Sequence, residues 1–108
     1  MAPVERPEDL IKSLVPTESD LASLGSVNLD AVHVVERCIG THHVVELDHI
    51  DEESVERSLL EQPAFIRTSS AHHVVLWAIP VGMDHWEELR LDRVRAARDT
   101  GEEFVPSW

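Results

Sequence analysis

Apolar residues near the start of the chain recur at helical spacing. Residues 7–15 place leucine, isoleucine and valine side chains on one side of a helix. Thr17 and Asp20 then form a variant capping box, and Gly25 suits the end of a second helix. We therefore expect two short helices within residues 1–26, and we expect them to cover one face of the rest of the domain.

Residues 28–39 have two interpretations. A helix capped by Asn28 and ended by Gly40 would gather apolar side chains on one face. The same stretch is rich in valine, and β-branched residues favour strands. We expect a strand that turns at Gly40–Thr41 and pairs with the next strand, and the helix is the alternative.

Two segments that share the letters HHVV indicate strands. His42–Leu47 alternates apolar and polar residues, and His72–Ile79 is the most hydrophobic segment of the chain. The continuous apolar run of the second segment is typical of a strand that is covered on both faces. We also expect a shorter extended segment at Phe65–Arg67.

Two further segments show the spacing of amphipathic helices. Glu52–Glu61 has a narrow apolar stripe and ends before Pro63. Asp84–Arg98 has apolar residues at similar intervals, and Asp84 is suited to cap its first turn. Both segments are therefore expected to be helical.

Together these segments predict an α+β fold. We expect one small domain in which a mostly antiparallel sheet carries helices on one face. On this expectation the short helices of residues 1–26 belong to the same domain. Residues 27–108 then form the α+β core, with a C-terminal helix and a tail.

Composition limits the classes of function. The chain has 108 residues and a formal net charge of -12, which repels nucleic-acid phosphates and anionic lipid. We therefore expect neither nucleic acid nor membrane as a partner. No basic segment precedes an apolar run near Met1, so we expect a cytoplasmic protein. The single cysteine, Cys38, cannot form an internal disulfide, and we expect it to be buried.

Seven histidines are the candidate chemistry of the chain. Side chains alternate along a strand, so one histidine of each HHVV segment can reach a shared face if the two strands are neighbours. His43, His73 and His85, with a carboxylate such as Glu46 or Glu103, would then bind a divalent metal: iron, manganese or zinc. The alternative is that these histidines are half-exposed or hydrogen-bonded within the sheet.

Three tryptophans stand out in a chain without tyrosine. Trp77 lies in the hydrophobic HHVV segment, where it is a core candidate and, beside the histidines, a candidate for substrate contact. Trp86 is expected to pack the last helix onto the sheet. Trp108 must either fold back or contact another chain, and tryptophan is enriched at protein interfaces.

Two segments resemble a known superfamily. Gly40–Leu60, GTHHVVELDHIDEESVERSLL, is similar to the opening strand and helix of a vicinal oxygen chelate module. Ala64–Pro80, AFIRTSSAHHVVLWAIP, is similar to a strand–turn–strand segment of the extradiol dioxygenases in that superfamily. The resemblance implies a divalent metal that binds two adjacent substrate oxygens and polarises them.

The resemblance also implies roles for individual residues. His43 matches the first metal-ligand position, His85 is the candidate second ligand, and Glu103 is the candidate terminal carboxylate. His72 or His73 matches a histidine pair near the bound substrate. A single module would need a partner chain to close its site, so the resemblance implies a dimer.

Two classes of function are compatible with these features. The first is a small acidic domain that binds a divalent metal or a small molecule through the histidines of the two HHVV segments. With the resemblance, this domain would be catalytic on an oxygen-chelating substrate. The alternative is a non-catalytic oligomeric assembly or regulatory subunit, whose acidic surface and Trp108 contact another copy or a partner protein.

Overall fold

The computed structural model describes residues 27–108, so the helices expected within residues 1–26 lie outside the described residues. The described range forms a single small α+β domain with an antiparallel sheet, as the sequence predicts. Its elements, in chain order, are α1 (Leu29–Thr41), β1 (His43–Ile50), β2 (Glu56–Thr68), β3 (Val74–Pro80), β4 (Glu87–Arg90), a 3-10 turn (Leu91–Arg93) and β5 (Val94–Glu103).

α1 forms where a strand is expected, so that expectation and its turn at Gly40–Thr41 are wrong and the helical alternative is confirmed. The Asn28 side chain accepts a hydrogen bond from the Ala31 backbone N–H at 3.1 Å and caps the helix. A strand would divide the apolar side chains between two faces, whereas the helix buries them on one. This burial outweighs the strand preference of valine. The buried residues of α1 are Ala31, Val32, Val35 and Cys38.

The sheet has the strand order β4-β3-β2-β1-β5 with antiparallel pairs throughout. β2 is its longest strand, and it pairs with its two neighbours through different halves. Residues Glu56–Glu61 pair with β1, and residues Glu61–Thr68 pair with β3. β1 and β3 are therefore separated by β2 and staggered along it.

The sheet must be strongly curved, because its two edges are joined by the short 3-10 turn. In a flat sheet of five strands the edges would lie roughly 19 Å apart, since neighbouring strands are about 4.8 Å apart. The chain from Arg90 to Val94 can span at most about 14 Å. The sheet therefore curls until β4 and β5 approach each other at one end.

α1 packs on one face of this curved sheet, which we call the core face. The buried cluster combines the apolar side of α1 with alternate residues of the strands and with Leu91 of the 3-10 turn. Its strand members are Val45, Leu47, Val74, Leu76, Ala78, Leu89 and Val94. We call the opposite face of the sheet the second face.

The strands expected at His42–Leu47 and His72–Ile79 are confirmed as β1 and β3, and Phe65–Arg67 lies within β2. Consecutive residues of β3 are buried, as expected for a strand covered on both faces. Cys38 is buried, which is also as expected.

The helix expected over Glu52–Glu61 is wrong. The Asp51 carboxylate accepts hydrogen bonds from two backbone N–H groups further along the chain, at 2.9 and 3.0 Å, and closes a turn. Ser54 adopts the left-handed conformation with φ 64°, which a right-handed helix does not contain. The rest of the segment joins β2, where Leu59 packs against the core and Leu60 is exposed.

The C-terminal helix expected over Asp84–Arg98 is also wrong, because β4, the 3-10 turn and β5 contain most of this segment. Its buried residues are Leu89, Leu91 and Val94. The first two are separated by the strand period of two, and the 3-10 turn adds the wider step to Val94. An interrupted strand thus has apolar intervals close to those of a helix.

Glu61 is the charged residue buried in the core of the described range, with 1% of its surface exposed. Register partners share a face, so Glu61 lies on the core face with its partner Val45. Its Oε1 has no hydrogen-bond partner among the described residues. Burial, and then the charge of Glu87, raises the pKa of Glu61 to about 8.

We predict that Glu61 makes the domain less stable as the pH rises. A raised pKa means that the folded state holds this proton more tightly than the unfolded chain does. The contribution is therefore complete below about pH 4.5 and is lost as the pH rises through about 8. In Glu61→Gln this term is absent, so the variant should gain stability relative to the parent by on the order of 4 kcal/mol between pH 4.5 and pH 9.

Urea denaturation of the parent and of Glu61→Gln at several pH values measures this difference. Glu88→Gln, which changes an exposed carboxylate on β4, is the matched control and should follow the parent. An unchanged pH dependence in Glu61→Gln would contradict the prediction.

Candidate functional site

His43 and Glu103 are the predicted ligands that the structure brings to neighbouring positions. They are register partners across β1 and β5. His43 Nδ1 also lies 3.0 Å from Oδ1 of Asp99, another residue of β5. The backbone N–H of Gly101, which donates to the Asp99 carboxylate, and then His43 hold the pKa of Asp99 below its usual range. A histidine–carboxylate pair with a second carboxylate beside it is therefore present at this edge of the sheet.

The other two predicted histidine ligands lie elsewhere. His73 precedes β3, and its neighbour is Asp92 of the 3-10 turn. Arg90, which donates to the Asp92 carboxylate, lowers the pKa of Asp92, and His73 adds to this effect. His85 is exposed in the connection between β3 and β4.

The two HHVV segments are not neighbours, which separates His43 from His73. Val45 is opposite Glu61 on β2, whereas Val74 is opposite Thr68. The two histidines are therefore offset by about six positions along β2, on the order of 20 Å of strand. In the range 27–108, no three histidine, cysteine, aspartate or glutamate side chains are arranged to hold a metal ion.

The residues predicted to contact substrate are also separate from His43. His72 is exposed in the turn before β3 and has a left-handed backbone with φ 64°. Trp77 lies on β3 opposite Phe65 of β2, and its indole Nε1 is buried without a hydrogen-bond partner among the described residues. Trp77 is half-buried on the second face and lies outside the buried core cluster, so its interpretation as a core residue is not borne out.

A row of aromatic side chains crosses the second face of the sheet. Successive ring centroids are 5.2 to 6.1 Å apart, within the range of favourable aromatic contacts. The row consists, in spatial order, of Phe65, Trp86, Trp108, Phe104 and His42. We call these five residues the aromatic row.

A bulge in β2 places Phe65 in this row. Before the bulge Pro63 pairs with Ala78 of the core face, and after it Phe65 pairs with Trp77. The extra residue between them reverses which positions face the core, so that Ile66 packs against the core and Phe65 lies on the second face. The Arg67 guanidinium then covers the Phe65 ring at 4.6 Å.

The C-terminal residues of the described range complete the row. The Phe104 backbone N–H donates to the carbonyl of His42 at 2.9 Å and holds Phe104 beside the start of β1. Trp108 then folds back, with its ring 5.7 Å from Phe104 and 5.2 Å from Trp86. Of the two alternatives for Trp108, folding back onto the domain is the one that the structure contains.

Two exposed apolar residues lie close in sequence to members of the aromatic row. Met83, in the connection that leads to Trp86, is 57% exposed, and Val105 beside Phe104 is 89% exposed. Such a concentration of exposed apolar side chains is typical of an interaction surface.

Three carboxylates, which we call the rim carboxylates, lie close to the aromatic row in register or in sequence. Glu88 is the register partner of Trp77, and each of the other two acids lies two residues from Trp86 or Phe104. None of them forms an ion pair with another residue of the described range. Glu46 and Asp48, by contrast, both bind Arg98 at 2.7 Å. The rim carboxylates are Asp84, Glu88 and Glu102.

A polar groove of about 520 Å³ lies between the β1–β2 turn and β4. Burial, and then the charge of Arg93, lowers the pKa of His49 in its wall, so this imidazole is neutral near pH 7. Arg57 is held by Asp51 at 3.2 Å. The groove therefore presents a neutral histidine near the Arg57–Asp51 ion pair and near glutamates, such as Glu52 and Glu87, that form no ion pair within the described range. No sequence motif marks this histidine as functional.

We predict that Trp86 and Trp108 give an excitonic band in the circular dichroism spectrum, because their rings are 5.2 Å apart and inclined by 47°. Trp86→Phe and Trp108→Phe should each abolish the band, whereas Trp77→Phe should retain it. Persistence of the band in Trp108→Phe would show that Trp108 does not lie against Trp86 in solution.

No protein-family model and no curated protein matches the chain. The resemblance to the vicinal oxygen chelate superfamily therefore stays a prediction. Among residues 27–108, no helix reaches the length and hydrophobicity needed to cross a bilayer.

Proposed function

We propose that this domain is a non-catalytic interaction module, and that it binds a basic segment of a partner protein through the aromatic row and its surroundings. The observation that carries the proposal is the row of half-buried aromatic rings on the second face, with exposed apolar side chains and the rim carboxylates close to it in sequence or register. Such a module belongs to the assembly or regulatory class that the composition of the chain allows.

The apolar part of the surface supports binding to protein. Trp86 and Phe65 offer rigid aromatic area, which loses little conformational entropy on binding. Met83 beside them is an unbranched, adaptable side chain of the kind that accommodates different apolar partners. An apolar or aromatic anchor of the partner would contact these residues.

The charges favour a basic partner. The chain carries a net charge of -12, and the rim carboxylates lie beside the apolar surface without arginine partners in the described range. Lysine or arginine residues next to the anchor would pair with Glu88 and Glu102 and would be attracted from a distance. A second copy would bring the same negative charge, so a different, basic chain is the better complement.

A second candidate is the binding of a divalent metal or small molecule at His43, which the Asp99 carboxylate and the neighbouring Glu103 favour. Elemental analysis of untagged protein tests it. About one iron, manganese or zinc per chain in the parent, lost in His43→Ala, would support this candidate. Metal-free parent protein would leave the interaction module as the function.

We predict that peptides selected from a random displayed library by this domain are rich in lysine or arginine and contain an aromatic or leucine anchor. Their affinity should fall at least about tenfold in Trp86→Ala and Met83→Ser, since these changes remove apolar contact area. Affinity should also fall with added salt, because the rim carboxylates contribute.

Leu29→Ser is the matched control, because Leu29 is a similarly exposed apolar residue on α1, on the other side of the sheet. Titration calorimetry should give it the affinity of the parent. Selected peptides without basic residues, or equal binding to Trp86→Ala and to the parent, would contradict the proposed function.

A further inference from the structure

Residues 105–108, which we call the tail, occupy the surface to which the proposed function assigns a partner. Trp108 lies between Trp86 and Phe104, at 5.2 and 5.7 Å from their rings. The place it fills is therefore an aromatic seat whose walls are Trp86 and Phe104. A partner's aromatic anchor would require the same seat.

The tail is held in this seat by few interactions. Phe104 forms the backbone hydrogen bond to His42, but residues 105–108 form no backbone hydrogen bond with any described residue. Pro106 has no N–H to donate, and Val105 is 89% exposed. After Phe104, the tail is held by the packing of the Trp108 ring against Trp86 and Phe104.

A segment held in this way opens at low cost. Segments with few buried contacts and few backbone hydrogen bonds have the lowest opening free energies in a folded protein. Trp86 directly precedes β4, whose first residue Glu87 pairs with Ala78 of β3, and its ring also contacts Phe65 at 6.1 Å. These contacts hold Trp86 in place when Trp108 leaves. The seat is therefore preformed on its sheet side and covered by a displaceable side chain.

We infer that Trp108 is an intramolecular competitor for the partner, so that binding of a basic segment with an aromatic anchor requires the Trp108 ring to leave its seat. This inference rests on the proposed function and adds a regulatory step to it. If the tail occupies the seat for about 90% of the time, its removal strengthens apparent binding about tenfold. Any process that holds the tail away from the seat would switch the surface on.

The probe for this inference is a peptide that contains the tail's own anchor. It has the sequence of residues 102–108 with lysine in place of both glutamates, and the unaltered sequence is the charge control. Titration calorimetry measures both peptides against the full-length parent, Trp108→Ala, Trp108→Phe and the double variant Trp86→Ala/Trp108→Ala. Leu29→Ser is the protein control, and thermal melts establish that each variant is folded.

We expect the lysine peptide to bind Trp108→Ala about tenfold more tightly than it binds the parent, with Trp108→Phe between the two. We expect the double variant to lose this binding, because Trp86 forms the seat. The unaltered peptide should bind more weakly to every variant, because its glutamates meet the rim carboxylates.

Other outcomes separate the inference from the proposed function. Equal affinity of the lysine peptide for the parent and Trp108→Ala, with loss of binding in the double variant, would overturn the inference that Trp108 competes with the partner. The proposed binding surface would be unaffected. Failure of the lysine peptide to bind Trp108→Ala would overturn the inference that the seat accepts an aromatic anchor. The proposed function would then be decided by the library selection. Equal binding of the two peptides would overturn the preference for a basic partner.

Discussion

The pairing of β2 with two staggered neighbours is the constraint on which the rest of the structure depends. Its first half forms the ladder to β1 and its second half the ladder to β3. A bulge after Pro63, within the second half, changes which side of the strand faces the core. Glu61 and Pro63 therefore face the core, whereas Phe65 faces away from it and begins the aromatic row.

The curvature of this staggered sheet separates the domain into two chemically different faces. One face holds α1 and the apolar cluster, and the 3-10 turn closes the sheet around them. On the other face, Arg98 neutralises Glu46 and Asp48 in one region. The region around Trp86 has aromatic rings and carboxylates that no described arginine neutralises, and this difference in charge pairing favours a partner there.

The sequence predicted the fold class and the strands that begin with HHVV, because burial on both faces leaves a continuous apolar run that no helix explains better. It mispredicted Glu52–Glu61 and Asp84–Arg98, because a turn closed by Asp51 and a 3-10 turn after Arg90 interrupt the strand alternation. Asn28 was the correct signal for α1, although the valines that come after it favour a strand.

The candidate site was harder to predict from the sequence than the fold was. Whether His43 and His73 meet depends on the order and stagger of the strands, and the alternation of residues along one strand does not reveal either. The aromatic row depends on the bulge before Phe65, since a regular strand would direct that ring into the core. The tryptophan content was a usable signal, and it correctly pointed to Trp108 as a residue that must fold back or meet another chain.

The indole N–H signals of Trp77, Trp86 and Trp108 in a nuclear magnetic resonance titration test the central claim most directly. When a basic peptide with an aromatic anchor is added, the account predicts large shifts at Trp86 and Trp108 and a smaller shift at Trp77, whose indole nitrogen is buried but whose register partner is Phe65. Constant signals from Trp86 and Trp108, together with shifts of the His43 imidazole, would contradict the account and place binding at the histidine instead.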